Sequence, residues 1–304
     1  MKKIISFLII VTWSYFACLS FALAQINIFT CEEEWASLAK EITQNKARIS
    51  NAVKGNQDAH YVQAKPSLIA KIRNADMIFC TGADLESGWL PLIMEKSYKN
   101  SAKDKEVGYL LAANYVEKLE IIKDKVLTRS MGHIHPSGNP HIHLNPNNIA
   151  IIAKEFTNRL KIIDAKNSQF YQNNLDNFLN KGQNSLNIWQ KRAQKLNNIN
   201  LISYHNAWSY LINWLNIDLV TTIEAKPGIT PGLKHLNKIV TLAKKDNIDL
   251  IIYAPFEPIK NIDWISQKAK IKAVELPFSI DKNHNVKDLF ELFDQILNKL
   301  EQNT

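Results

Sequence analysis

The sequence predicts an α/β protein with two Rossmann-like βα lobes, joined by one long helix and separated by a cleft. Short apolar strand patterns alternate with amphipathic helical patterns at both ends of the chain, and a long stretch without proline, residues 168–196, separates these two parts. A helix of that length would span roughly 40 Å, which is enough to connect two lobes. We place the lobes at 25–164 and 198–304, and the linking helix at 165–197.

The elements of the first lobe follow from the period of the apolar residues and from proline and glycine at their ends. A strand is predicted at 26–31. A helix follows at 32–43 because Trp35, Leu38 and Ile42 fall on one of its faces. The other predicted elements are a weak strand at 49–53, a helix at 66–74, a strand at 76–80, a helix at 85–96, an irregular or strand segment at 116–122 and a helix at 148–160.

The second lobe repeats the alternation after the long helix. Apolar runs of four or five residues predict its strands, and longer amphipathic stretches predict the helices between them. Strands are expected at 200–204, 219–223, 250–253 and 272–276, and helices at 207–215, 232–245, 262–270 and 286–300.

The N-terminus has the features of an export signal. Lys2 and Lys3 supply positive charge, residues 4–21 are mostly apolar, and 22–24 read Ala-Leu-Ala, a small-x-small cleavage site. We therefore expect a cleaved signal peptide at 1–24 and a periplasmic chain from Gln25. An uncleaved anchor is the alternative, because the apolar stretch is nearly long enough to span a bilayer.

The net charge is basic, at +8 for the whole chain. Its lysines are spread over predicted helices beside carboxylates and asparagines, which is typical of a solvated helical surface rather than of a nucleic-acid interface. We expect no nucleic-acid partner, and we expect a monomer.

Two cysteines remain in the chain after the predicted cleavage, Cys31 and Cys80. Each ends an apolar strand pattern, so the two sulfurs lie at the same sheet edge if those strands are neighbours. Export makes a disulfide chemically allowed there. Two buried free thiols are the alternative, because the geometry of pairing is not visible in the sequence.

Histidine is the most informative residue type in this chain. Neutral imidazole is the commonest side-chain ligand for zinc, and three such nitrogens at about 2.0–2.1 Å leave one position for a carboxylate or water. A single histidine in a turn is more often a hydrogen-bonded surface or capping residue. Here, however, six of the eight histidines fall in three short segments that follow α/β elements. These are His60 in QDAHYVQAKPS, His133, His135, His141 and His143 in GHIHPSGNPHIHLNP, and His205 in SYHNAW.

The order of these phrases resembles one protein family over nearly the whole mature chain. DAH with a following KPS, NPHIHLNP, a strand-borne YHNAW and EAKPGITPG are similar to motifs of the periplasmic substrate-binding proteins of metal ABC transporters, the cluster A-I family. The resemblance implies two lobes joined by a rigid helix, capture of a divalent metal ion, and delivery to a membrane permease with its ATPase. The phrases CEEEWASLAKEI, CTGADLESGWLP and HIHPSGNPH look like a subgroup with paired cysteines and a GNPH loop.

Carried over residue by residue, the resemblance implies metal ligands at His60 and His141 in the first lobe and at His205 in the second. The fourth ligand of the family is usually an aspartate before a proline, but this chain has Leu276 in that position. Glu275 is the tentative fourth ligand, although strand alternation would turn it to the opposite side of the sheet. Glu224 and a water molecule are the alternatives.

The remaining histidines of the long loop leave two roles open. His133 and His135 would take up zinc transiently and pass it to His141, with His143 able to replace one ligand. Alternatively, His135 and His143 cap turns by hydrogen bonding to the backbone.

Three imidazoles with at most one carboxylate favour zinc (Zn2+) over manganese (Mn2+), which prefers more oxygen ligands. We expect a transport protein and no enzymatic activity. A secreted zinc hydrolase and a metal-binding adhesin are the rival classes. Three histidines and a water also form a catalytic arrangement, but the sequence has no HExxH motif and no nucleophile elbow.

Overall fold

The computed structural model describes residues 25–55, 57–97, 107–123 and 134–304. In these residues the chain forms two α/β lobes, each built on a four-stranded parallel sheet, with a long helix between them in sequence. The predicted fold class is therefore confirmed. The predicted signal peptide at 1–24 lies outside the described residues, and none of the helices in the described ranges is long and apolar enough to cross a membrane.

The first sheet has the strand order β2-β1-β3-β4. Its strands and the helices of this lobe are β1 (Ile26–Thr30), α1 (Glu33–Thr43), β2 (Ala47–Asn51), α2 (Pro66–Arg73), β3 (Met77–Cys80), α3 (Leu90–Lys96), β4 (Tyr109–Leu111) and α4 (Pro146–Ile163). Every residue of β3 is buried, as expected for an inner parallel strand whose two faces are both covered.

Two elements of this lobe differ from the prediction. Helix α3 begins at Leu90 rather than at 85, because Gly82, Ala83 and Asp84 have φ of 79°, 49° and 66° and residues 83–89 form turns. Strand β4 was not predicted. Its three residues are too few for a visible period, whereas the segment at 116–122 is irregular.

The second sheet has the order β6-β5-β7-β8, which repeats the order of the first. In such a sheet, loops leave the first and third strands of the lobe in opposite directions and open a crevice at the carboxyl edge. The elements are β5 (Asn200–Ser203), α6 (Ser209–Leu215), β6 (Asp218–Thr222), α7 (Leu233–Lys245), β7 (Leu250–Tyr253), α8 (Ile259–Ala269), β8 (Lys272–Glu275) and α9 (Leu289–Glu301).

The linking helix is α5 (Ser168–Ala193), whose 26 residues span about 39 Å. It forms hydrogen bonds with one helix of each lobe. The Asn174 amide donates to the Ile42 carbonyl of α1 at 2.9 Å, and the Trp189 ring N–H donates to Asp294 of α9 at 2.7 Å. Helix α5 therefore contacts both lobes and connects them.

The two lobes also share a core. One contiguous cluster of buried apolar side chains extends from Ile28 in the first sheet, past Tyr171 and Trp189 of α5, to Ile252 in the second sheet. Bending at the junction of the lobes would expose part of this cluster to water, at about 25 cal/mol for each Å² of apolar surface.

A disulfide joins Cys31 and Cys80, as predicted. Because Thr30 pairs with Phe79 in the register of β1 and β3, the two cysteines face each other across neighbouring parallel strands, with their Cα atoms 4.8 Å apart. Both cysteines are fully buried. The bond fixes two strand ends at the carboxyl edge of the first sheet.

Loss of this bond should destabilise the fold. The bond closes a loop of 49 residues in sequence separation, so the double variant Cys31→Ala/Cys80→Ala should lose up to about 4 kcal/mol of unfolding free energy by the chain-entropy relation. Urea unfolding of the chain from Gln25 measures this difference. Dithiothreitol should lower the midpoint of the parent protein and leave that of the double variant unchanged; an equal response of both proteins would contradict the prediction.

Candidate metal centre

Three histidines from separate parts of the sequence meet in the cleft. His60 lies in the loop after β2, His141 lies just before α4, and His205 follows β5. Their ring centroids are 6.0 Å (His60 to His141), 6.2 Å (His60 to His205) and 5.9 Å (His141 to His205) apart. Three imidazoles on one tetrahedral zinc ion have centroids about 5 Å apart, so a contraction of about 1 Å would let these rings share an ion.

The Nδ1 atom of each ring is held by an oxygen of a neighbouring side chain. Asp58 lies 2.6 Å from Nδ1 of His60, and Asn139 lies 2.9 Å from Nδ1 of His141. Nδ1 of His205 is 2.8 Å from a carboxylate oxygen of Glu224. Such partners fix the orientation and the tautomer of ligand histidines and leave Nε2 for the metal.

Two of these partners belong to a repeated local turn. In Asp58-Ala59-His60 and in Asn139-Pro140-His141, the side-chain oxygen of the first residue accepts both the backbone N–H and the ring N–H of the histidine. This is the Asx-type turn that short polar side chains form with the backbone two residues later. The Asp/Asn-x-His spacing was visible in the sequence, but the role of its first residue was not inferred.

The environments of the histidines shift their pKa values in opposite directions. Burial, together with the nearby histidines, lowers the pKa of His141 well below its ordinary value. Burial also opposes protonation of His205, but the hydrogen bond and the charge of Glu224 outweigh it and raise the pKa of His205. For Asp58, burial favours the neutral acid, yet the interactions with His60 outweigh it and lower the pKa of Asp58.

Of the two carboxylates considered as ligands, Glu224 lines the histidine cavity and Glu275 does not. Glu275 ends β8 and does not line the cavity around the three histidines, and its carbonyl accepts a hydrogen bond from Lys299. Glu224 does line this cavity, but it is bound to His205. The structure therefore gives no support to Glu275 as a ligand.

Glu257 is a carboxylate of this cavity that the sequence reasoning missed. It follows β7 in the phrase YAPFEP, and its Oε2 accepts a hydrogen bond from the backbone N–H of Ala254 at 2.6 Å. Its Oε1 is buried without a hydrogen-bond partner in the described part of the chain. Burial raises the pKa of Glu257 to about 8.

The other histidines of the long loop have different surroundings. His133 lies outside the described residues. His135 places its Nε2 2.8 Å from Nε2 of His60. His143 is buried, and its Nε2 donates to the Phe278 carbonyl at 2.9 Å, while its Nδ1 lies 3.4 Å from Glu34. The His143 side chain thus contacts the second lobe by donating to a backbone carbonyl of that lobe.

The lobes touch each other around the site. A Cβ atom added to Gly55, in the loop before His60, would lie 2.0 Å from the Ile280 carbonyl oxygen, so only glycine fits this contact. On the other side, the Asn139 amide donates to the Asn206 carbonyl at 2.9 Å, next to His205. The histidines therefore lie in a closed cleft, and His141 is 5 % exposed.

A family model described as zinc-uptake complex component A, periplasmic (ZnuA), matches residues 28–303. The chain belongs to this family. The zinc uptake protein ZnuA of Bacillus subtilis strain 168 is 21 % identical over 250 residues, which cover 82 % of this chain and 76 % of that protein. The manganese ABC transporter substrate-binding lipoprotein PsaA of Streptococcus pneumoniae is 28 % identical over 178 residues. That match covers 58 % of this chain and only about half, 53 %, of PsaA.

Solved structures of two relatives have the same fold. A crystal structure of ZnuA superposes with a TM-score of 0.76 at 20 % identity, over 92 % of this chain and all of that one. The manganese-bound periplasmic metal-binding protein from Candidatus Liberibacter asiaticus has a TM-score of 0.74 at 14 % identity, over the same shares of the two chains. Because both identities are low, these superpositions establish that this chain has the same fold as the two solved structures, and nothing more.

The partners of the ring nitrogens should control metal affinity. Asp58→Asn and Glu224→Gln each remove the negative charge that orients one histidine, and each should weaken zinc binding by about 10–100-fold. Competition titration with a chromophoric chelator measures this loss. Asp281→Asn is the matched control, because Asp281 makes a similar bond of 2.7 Å to His284, which is half-exposed. Equal zinc affinities of Asp58→Asn and Asp281→Asn would contradict the prediction.

Proposed function

We propose that this protein is the substrate-binding component of a metal ABC transporter. It captures one zinc ion in the cleft between its lobes and delivers the ion to a membrane permease that works with an ATPase. The observation that carries the proposal is the meeting of three imidazoles whose Nδ1 atoms are all occupied by oxygens of other side chains. Nε2 is therefore the nitrogen with which each ring would bind one ion.

The nature of the donors supports zinc as the cargo. Imidazole nitrogen suits zinc, whereas manganese is bound mainly by carboxylate, carbonyl and water oxygens. The carboxylate of Glu224 is engaged with His205, and Glu275 lies outside the cavity. Among the relatives, the Bacillus protein is named for zinc uptake and the pneumococcal protein for manganese. The imidazole donors of this chain favour zinc, the metal in the name of the Bacillus protein.

A periplasmic location and a monomeric state complete the proposal. The export signal expected at 1–24 would place the chain outside the cytoplasm, and the matching family model is described as periplasmic. We keep the lobe boundaries at 164/165 and 197/198, which lie on either side of α5. The site joins residues from both proposed lobes of one chain, so a single copy supplies His60, His141 and His205.

The purified chain from Gln25 should bind about one zinc ion per molecule. Replacing His60, His141 or His205 by alanine should weaken that binding by at least about tenfold, because each change removes one of the few strong bonds to the ion. Glu275→Gln should leave the affinity unchanged, since this carboxylate does not line the cavity. Metal analysis and competition titration measure both quantities, and undiminished affinity in all three histidine variants would overturn the proposed function.

Zinc affinity should fall as the pH is lowered from about 7 to 5, because protons compete for imidazole nitrogen. His205 contributes most clearly: its raised pKa means that the metal-free protein keeps a proton there at higher pH than an ordinary histidine, and zinc must displace it. His141 contributes no proton in this range, because its lowered pKa keeps it neutral. Fewer than three protons should therefore be released per zinc ion bound.

Glu224→Gln tests the origin of this pH dependence. Without the carboxylate, the pKa of His205 should fall, and the part of the affinity curve that depends on His205 should move to lower pH. Calorimetry in buffers of different ionisation enthalpy counts the released protons. Release of three protons near pH 6, or a curve that Glu224→Gln does not move, would contradict the prediction.

A further inference from the structure

We propose that His135 supplies the fourth zinc ligand, so that the centre holds the ion with four imidazole nitrogens. This inference rests on the proposed function, because it concerns the same site. It replaces the missing aspartate of the family with a residue of the first lobe, in the long loop that also carries His141.

The distance between two ring nitrogens is the main observation. Nε2 of His135 lies 2.8 Å from Nε2 of His60, and the two ring centroids are 4.9 Å apart. Because Nδ1 of His60 is bound to Asp58, Nε2 is the nitrogen that His60 presents to a metal. The separation of these two rings is already that of two imidazoles on one tetrahedral zinc ion, about 5 Å.

The backbone after His135 is fixed in a turn. Gly138 has φ of 113°, and its N–H donates to the His135 carbonyl at 3.1 Å. A Cβ atom at Gly138 would lie 2.8 Å from Cβ of Lys118, so glycine is required there by its conformation and by space. The N–H of Ser137 donates to Asp84 at 3.0 Å. This turn holds the chain between His135 and His141 in one conformation.

The other candidate donors are less well placed. Glu224 uses its Oε2 for both contacts: it accepts from Nδ1 of His205 at 2.8 Å and from the N–H of Gly228 at 3.3 Å. This carboxylate therefore sits at the Nδ1 side of the His205 ring, not at Nε2, the nitrogen that would bind the ion. Glu257 lines the cavity and is the strongest rival. In the described residues, however, it makes no hydrogen bond to His60, His141 or His205. Within the described parts of the chain, His135 is the residue whose ring nitrogen lies directly against a nitrogen of a proposed ligand, His60.

Proton positions are consistent with this role. The Nδ1–H of His60 faces the carboxylate of Asp58, so the proton between His60 and His135 belongs to Nε2 of His135. When zinc binds, that proton moves to Nδ1 of the same ring through exchange with water. The tautomer of His135 changes, no net proton is lost, and both Nε2 lone pairs become available to the ion.

His135 lies beside the cavity that holds His141 and His205. His60 lines both this cavity and a second pocket, and His135 lines the second pocket beside Asp84 and Leu85. His60 is therefore the ring that connects His135 to the proposed site, through the contact between their Nε2 atoms. A donor set of four nitrogens and no oxygen disfavours manganese more strongly than three nitrogens with a carboxylate would.

X-ray absorption at the zinc edge and competition titrations test the proposal on the zinc-loaded chain. The parent protein should show four imidazoles on zinc, and His135→Ala should show three, with zinc affinity reduced by more than about tenfold. Manganese, titrated in parallel, should lose less affinity in His135→Ala than zinc does. His284→Ala is the matched control, since this half-exposed histidine lines neither the cavity of the three histidines nor the pocket shared by His60 and His135, and it should keep four imidazoles.

Glu257→Gln is the variant that separates the two rival donors. If it keeps four imidazoles and the parent affinity, the proposal is supported. An unchanged imidazole count in His135→Ala, or an oxygen ligand that disappears in Glu257→Gln, would overturn it. Either result would leave binding through His60, His141 and His205 intact, whereas a parent protein that binds no zinc would overturn the proposed function itself.

Discussion

The centre depends on one buried carboxamide, the side chain of Asn139. Its oxygen accepts hydrogen bonds from the backbone and the ring of His141, and its amide group donates to the Asn206 carbonyl at 2.9 Å. Asn206 directly follows His205 in sequence. One side chain of the first lobe thus orients His141 in its own lobe and holds the loop that carries His205, the proposed ligand of the other lobe. Because Asn139 is 5 % exposed, water competes weakly for these bonds.

A second buried network of hydrogen bonds connects the two lobes near the histidines. Glu34 of α1 accepts a hydrogen bond from Ser279 and lies 3.4 Å from His143, whose other ring nitrogen donates to the Phe278 carbonyl. The Phe278 ring packs against the rings of His141 and His143, with centroids 5.5 and 5.2 Å away. The segment that carries an aspartate ligand in the family's usual pattern serves here as a packed and hydrogen-bonded wall. This agrees with a fourth ligand that comes from elsewhere.

Much of this architecture could be predicted because it depends on local sequence patterns. Apolar periodicity gave the strand and helix alternation, and cysteines at two strand ends predicted a bond that the parallel register of β1 and β3 makes possible. Strand alternation also argued that Glu275 turns away from the site, and Glu275 does not line the cavity. Short motifs singled out His60, His141 and His205, which the structure brings together.

What could not be predicted depends on packing between distant segments. The contact of His60 with His135 joins residues 75 positions apart, and no periodicity encodes it. Glu257 is placed in the cavity by the end of β7, although its phrase YAPFEP has no motif of its own. Strand β4 is defined by its pairing with β3 rather than by its own three residues. In each case the information lies in tertiary contacts.

The shared core of the two lobes limits how far the cleft can open. A wide opening of the cleft would separate apolar side chains that pack continuously from Ile28 to Ile252 and would pull the Gly55 loop away from Ile280. Close-packed interiors resist such motion, so we expect an ion in the proposed site to exchange through small rotations of side chains at the rim. For the proposed function, the residence time of the ion would then depend on a few rings and loops, and the permease would shorten it by displacing those groups without separating the lobes.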